Sequence, residues 1–191
     1  IIKKIEPHDS VKRYTDLGVD CFSGDAKVLS PHEVEVNGNI LTTKNIIIAT
    51  GARPTTPPIN GLGKVDFLTS DNLWNIQELP KKLLIVGGGP IGSEFAQCFA
   101  RLGSDVTQVE MSPHILTRED DEISLALRQQ FGREGIDIHT DTTCKTIVAE
   151  NGKQVMVSEK RGQELCIEFD QILIAVGRTA NSKGFGLENI G

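Results

Sequence analysis

The chain has 191 residues, 38% of them apolar and 5% aromatic, with a formal net charge of −6. That length suits one domain or two small ones, and the acidic balance gives no reason to expect nucleic acid or an anionic membrane surface as partner. No apolar run approaches the roughly 20 residues that span a bilayer, and Ile1 to Glu6 lacks the h-region and cleavage site of a secretory leader.

In chain order, the first fifty residues predict β-structure. Gly18–Phe22 and Ala26–Leu29 are strand candidates, with Ser30-Pro31-His32 as a turn. Glu33–Val36 alternates, Asn37-Gly38 is a strong hairpin turn, and Ile40–Thr42 returns. The unbroken run Ile46–Ala49 predicts a strand buried on both faces. The stretch from Thr50 through Pro58 to Gly63, rich in Pro and Gly, predicts a linker. Ser70-Asp71 suits the cap of a short helical segment reaching Ile76, with Trp74 as a packing anchor at a domain junction.

The central segment carries the chemistry. Leu83–Val86 is an apolar, strand-like run. It enters Gly87-Gly88-Gly89-Pro90-Ile91-Gly92, which has the G-x-G-x-x-G spacing. Gly87 suits the tight turn, Gly89 a close backbone approach to a pyrophosphate, and Gly92 close helix–sheet packing. Ile91, Phe95, Phe99 and Leu102 then fall at helical spacing, with Ala96 and Gly103 as small residues for packing and termination. Amides and the positive dipole end of that helix would face phosphates. A second strand, Asp105–Val109, ends in Glu110, eighteen residues after Gly92, where a carboxylate can hold ribose hydroxyls and repel a 2′-phosphate. This pattern favours NAD over NADP, although Arg118 could serve a 2′-phosphate.

Further on, Asp120–Arg133 predicts a helix with Ile123, Leu127 and Phe131 on one face and Gly135 at its exit. Ile136–His139 predicts a third strand. Thr143–Ala149, Gln154–Ser158 and Leu165–Phe169, punctuated by Asn151-Gly152 and Arg161-Gly162, predict an antiparallel meander. A last strand, Gln171–Val176, ends in Gly177-Arg178. The fold class is therefore α/β: a Rossmann-like NAD-binding domain, parallel sheet plus antiparallel meander, with flanking β-structure. Cys21, Cys98, Cys144 and Cys166 form no C-x-x-C, and His8, His32, His114 and His139 form no ligand spacing, so no metal site is expected. Isolated thiols suit a reducing cytoplasm.

Three landmarks give the chain a family resemblance: Ala49-Thr50-Gly51-Ala52, the segment Gly87–Gly103 with Glu110, and Ala175-Val176-Gly177-Arg178-Thr179-Ala180-Asn181. It resembles the flavin-containing pyridine nucleotide–disulfide oxidoreductases, with features of both mercuric reductase-like and dihydrolipoamide dehydrogenase-like members. The resemblance implies hydride transfer between NAD(H) and FAD. It assigns Gly87, Gly88, Gly89, Pro90, Ile91 and Gly92 to the NAD pyrophosphate, Glu110 to the ribose, Glu94 to the nicotinamide side, Cys144 to the adenine pocket and Gly177 to the nicotinamide. Ala26, Thr50, Gly51, Ala52 and Arg178 fall on the FAD side. Residue chemistry alone leaves Glu94 open as a helix-dipole carboxylate, Cys144 as a small core residue and Arg178 as a surface charge.

The resemblance also implies a division into a partial flavin-domain segment and linker (1–78), an NAD-binding domain (79–166) and a return segment (167–191). The family's first glycine fingerprint, its C-x-x-x-x-C and its catalytic His–Glu pair have no counterpart here, so the expectation is a fragment of a homodimeric parent. It is expected to be inactive alone, to bind FAD poorly and to be monomeric, with Ile46–Ile48 and Ile172–Ile174 as exposed remnants. A self-contained NAD(H) sensor and an NADH oxidase- or ferredoxin reductase-like flavoenzyme remain as alternatives.

Overall fold

The computed structural model describes residues 2–150, 152–160 and 163–190. The chain folds as two compact units, Ile1–Gly51 with Asn181–Gly191, and Ala52–Ala180. The expected 79–166 window lies inside the second unit.

The first unit begins helical rather than β, with α1 (Ile2–Ile5) and α2 (Val11–Asp16). The Ser10 hydroxyl accepts the Arg13 N–H at 3.3 Å, and Lys12 pairs with Asp16 at 2.6 Å one turn on. Such a cap and i,i+4 pair favour a short helix over an extended chain. Gly18–Phe22 forms no strand; Leu17 and Phe22 are exposed beside a left-handed Gly18. Strands β1 (Ala26–Ser30), β2 (Glu33–Val36) and β3 (Asn39–Thr42) form an antiparallel sheet that contains the expected Asn37-Gly38 hairpin. Asn37 and Gly38 both take positive φ, as a two-residue hairpin turn of this twist requires. Ile46–Ala49, expected as a buried strand, is neither a strand nor buried, and Ile47 is 90% exposed. β-Branched composition favours the extended state only where a neighbour supplies the ladder, and none of the described residues does so here.

The second unit contains β4 (Ala52–Pro54), β5 (Phe67–Leu68), β6 (Lys82–Val86), α3 (Pro90–Leu102), β7 (Asp105–Val109), α4 (Asp121–Arg133) and β8 (Asp137–His139). The chain then forms β9 (Thr146–Glu150), β10 (Lys153–Lys160), β11 (Gln163–Phe169), β12 (Gln171–Ile174) and β13 (Arg178–Ala180). A five-stranded parallel sheet has the order β5-β12-β6-β7-β8. Strands β9 to β11 form a separate antiparallel sheet, and β4 pairs with β13. The proline-rich stretch is thus no free linker. It supplies β4, the buried Leu62 and an Asn60–Thr146 bridge to β9.

Side-chain alternation sorts the core onto two faces. Leu83 and Ile85 of β6 and Leu173 of β12 pack with Ala96 and Phe99 of α3 and Phe131 of α4. Leu84, Val86, Ile172 and Ile174 pack with Ile147, Met156 and Phe169 of the meander. Ile172–Ile174, expected to be exposed, is therefore buried, because β12 lies between β5 and β6. On the helices the buried stripe is narrower than the spacing predicts. Leu102 and Ile123 are exposed; of the expected α4 face Phe131 is buried, and Ser124 is buried as well. Trp74 is 70% exposed, since its short 3₁₀ turn buries Leu73; its ring meets Phe95 edge-on at 6.0 Å.

Glu134, just past α4, ties the two helices together. It accepts from Arg101 Nη2 at 2.7 Å, Gln97 Nε2 at 3.0 Å and Gln130 Nε2 at 2.6 Å. Arg101 beside it, helped by the Gln130 amide, lowers its carboxyl pKa from 4.5 to about 2. A lowered folded-state pKa adds stability that is present above the unfolded value of 4.5 and lost as pH falls toward 2. Glu134→Gln should flatten the loss of melting temperature between those two pH values. An acid melting series as steep in the variant as in the unaltered chain would refute this.

Candidate functional site

The site lies at the carboxyl end of the parallel sheet. There β6 is flanked by β7 on one side and β12 on the other, so the loops that leave these strands diverge. In open α/β sheets this is where ligands bind. A cavity of about 990 Å³ opens at this end, lined by Val86, Val109 and Ile174 at the strand ends and by residues of the loops that follow.

The glycine turn is built by close approach. Gly87 has φ +118, and a Cβ there would lie 2.4 Å from the Ala175 carbonyl oxygen. A Cβ on Gly92 would lie 2.2 Å from the Gly87 oxygen. Gly88 is also forced, because its Cβ would meet Glu110 Cβ and Cγ at 2.9 Å. The polar groups of the turn are then claimed in sequence. Gly87 N–H donates to Val109 O at 2.8 Å, and Gln108 Nε2 donates to Gly87 O at 3.0 Å. Gly88 N–H donates to Glu110 Oε2 at 2.6 Å, and Leu116 N–H donates to Gly88 O at 2.8 Å.

Beyond Gly88 the amides are unclaimed. Gly89 is the N-cap of α3 and brings no side chain to cap it, and Pro90 has no N–H. The amides of Gly89, Ile91 and Gly92 find no acceptor among the described residues, as the first turn of a helix leaves them. A Cβ-free Gly89 opens onto space. Three free donors at a positive dipole end suit an anionic diphosphate, so the residues present fit a dinucleotide.

Glu110 closes the other side. Its Oε1 accepts the Ser112 N–H at 2.8 Å while Oε2 holds Gly88, and the side chain still borders the cavity. Cys144 is buried and also lines the cavity. Burial pushes its thiol up to about 11, so it presents a neutral, apolar surface rather than a thiolate.

Of the residues singled out by sequence, Gly87, Gly89, Pro90, Ile91, Glu110, Arg118, Cys144, Gly177 and Arg178 line the cavity together, so the arginine able to serve a 2′-phosphate borders the same space as Glu110. Gly88 and Gly92 support it from behind. Glu94 is exposed on α3 and is not among the lining residues. Arg178 reaches Ser70 Oγ at 2.7 Å and the Ala52 carbonyl oxygen. Ala52 itself pairs with Ala180 across β4 and β13. In the other unit, the Thr50 hydroxyl donates to Asn181 O at 2.6 Å, the Asn181 N–H donates to Gly51 O at 3.0 Å, and Ala26 pairs with Val36. Sequence reasoning missed Leu116, Thr117, Glu119, Thr142 and Thr143 as lining residues, and Pro54 and Thr55 from the supposed linker. Nothing periodic marks them. Leu116 takes φ +53, a conformation invisible in composition.

These features define a mixed α/β unit matching the FAD/NAD-binding fold of disulfide oxidoreductases. The chain belongs to the pyridine nucleotide-disulphide oxidoreductase family, whose pattern it matches over residues 2–191. It is 37% identical over 185 residues to mercuric reductase of Staphylococcus aureus, covering 94% of this chain and 34% of that protein. It is 44% identical over 178 residues to dihydrolipoyl dehydrogenase of Acholeplasma laidlawii, covering 91% and 51% respectively. The HOCl-induced flavoprotein disulfide reductase RclA of Escherichia coli superposes with a TM-score of 0.75 at 31% identity, covering 94% of this chain and 42% of that one. The chain thus spans between about a third and a half of these relatives' length. No helix among the described residues is long and apolar enough to cross a membrane.

Gly92→Ala tests the close approach. It should lower unfolding free energy by about 1–3 kcal/mol, the usual cost of overpacking, in a denaturant titration. A variant as stable as the unaltered chain would contradict the 2.2 Å contact.

Proposed function

We propose that the Ala52–Ala180 unit binds a nicotinamide dinucleotide, NAD(H) in preference to NADP(H), within an FAD-dependent oxidoreductase. One observation carries this reading. The free amides of Gly89 and Ile91 lie on residues that line the same cavity as the Glu110 carboxylate, the Gly92 amide follows in the same first helical turn, and the adjoining turn is already fixed.

The Gly89, Ile91 and Gly92 amides hold the diphosphate. Pro90 sets the helix start at a fixed φ without competing for an acceptor. Glu110 has about four acceptor positions on its two oxygens; two serve Gly88 and Ser112, and the others take the ribose hydroxyls. A 2′-phosphate would bring a like charge against it. Cys144 packs the adenine side. Gly177 leaves room on the nicotinamide side, and Glu94 is assigned there on the resemblance alone. Arg178, fixed by Ser70 and Ala52, holds positive charge at the cavity wall. Ala26, Thr50, Gly51 and Ala52 are assigned to the flavin side, a role supported by the resemblance and by the Thr50–Asn181–Gly51 hydrogen bonds that fix this turn. The chemistry supplied by the bound groups is hydride exchange between nicotinamide and flavin; the chain's own residues bind, orient and select. The parent enzyme would pass electrons on to a disulfide or metal-ion acceptor, as a homodimer.

Calorimetric titration of the 191-residue chain should give tighter binding of NADH than NADPH, by about tenfold for one repelled charge-bearing group. Glu110→Ala should narrow that preference. Equal affinity for both nucleotides in the unaltered chain would overturn the assignment of Glu110, and binding of neither would overturn the site.

A further inference from the structure

The backbone polar groups of Gly87 and Gly88 are satisfied by β7 and the segment after it: Val109, Gln108, Glu110 and Leu116. Three of these four partners are neutral. Glu110 is the charged one, and its 2.6 Å bond to Gly88 N–H is the shortest of the set. Charge-assisted bonds of this kind are roughly twice as strong as neutral ones. Its second oxygen takes Ser112 N–H, so a single carboxylate joins the glycine turn to the start of the segment that carries Leu116 back over that turn. That segment is held in an unusual conformation, with Leu116 at φ +53 delivering its N–H to Gly88 O. Left-handed backbone at a leucine persists only where surrounding contacts determine it. The absent Cβ at Gly88 has the same origin, since the space it would fill holds Glu110 Cβ and Cγ.

We propose that Glu110 is a positioning residue for the diphosphate-binding turn as well as a ribose ligand, and that these two roles are separable. The proposal rests on the nucleotide reading given above. Holding Gly88 sets the direction of the next peptide, Gly88–Gly89, and so aims the first free amide at the diphosphate. Glutamine cannot replace it, because an amide offers one acceptor oxygen and a donor NH₂. Two backbone N–H groups converge on this side chain, and one of them would face that NH₂. Replacing this glutamate to admit NADP(H) should therefore cost phosphate binding as well as ribose selectivity.

The test uses two ligands, NADH and an NADH analogue whose adenosine ribose lacks both the 2′- and 3′-hydroxyls. Affinities are measured calorimetrically for the unaltered chain, Glu110→Ala and Glu110→Gln, below each protein's melting temperature. A ribose ligand alone has nothing to lose on the analogue. A positioning residue does, and Glu110→Ala should weaken the analogue by about tenfold, the worth of one charge-assisted hydrogen bond, and NADH by more. The Gly88 amide proton should move upfield and exchange faster in the same variant, with no ligand present. Analogue affinity equal to that of the unaltered chain, with NADH alone weakened, would overturn the proposal while leaving the nucleotide site intact. Failure of the unaltered chain to bind NADH would instead sink the site and the proposal together. Where Glu110→Ala does not melt cooperatively, Glu110→Gln decides: it should also lose analogue affinity, and full retention would overturn the positioning role.

Discussion

Where β6 ends, the chain must leave the sheet without stranding its peptide groups. A buried amide or carbonyl left unpaired costs about 1–3 kcal/mol. Gly87 and Gly88 avoid that cost through partners on β7 and beyond. The amides that follow have no such partner, because they open a helix whose N-cap is a side-chain-free glycine and whose first residue is proline. The proposed binding surface is what remains after the turn has satisfied itself. It is fixed before a ligand arrives, which lowers the ordering cost of binding.

That arrangement depends on the sheet beneath it. β6 is buried on both faces, with odd and even residues sent to different layers. A strand so held cannot slip by one residue without exchanging its helix-facing and meander-facing sets. Register therefore fixes where Gly87 emerges relative to Val109 and Ala175, and the approaches at Gly87 and Gly92 leave no room for a shift. Gln108 shows how far the layer is committed to the turn. It is fully buried, donates to Gly87 O, and leaves its Oε1 without a partner among the described residues.

Much of this is written locally in the sequence. The strand–turn–helix at 82–102, the meander, and the Asn37-Gly38 hairpin each have a short-range physical signature: alternation, a glycine turn, or helical spacing. The convergence of Gly87, Glu110, Cys144 and Gly177 on one cavity was legible through the family resemblance, since spacing alone leaves Cys144 undecided. What failed was information held in distant partners. Ile46–Ala49 has strand composition but no ladder among the described residues. Ile172–Ile174 becomes core because β5 and β6 flank it. Pro54 to Ile59 has turn composition, yet it lines the cavity once β4 pairs with β13. The need for glycine at 88 is written in Glu110, far along the chain.

The pairing of β4 with β13 has one more consequence. Ala52, where the chain enters the larger unit, faces Ala180, where it leaves. Entry and exit are thus separated by about one inter-strand spacing, roughly 5 Å. A body with adjoining ends can be spliced into a surface loop of a host fold while the host's own strands keep their places. The larger unit has the geometry of a cassette, able to change its contents without its surroundings having to refold.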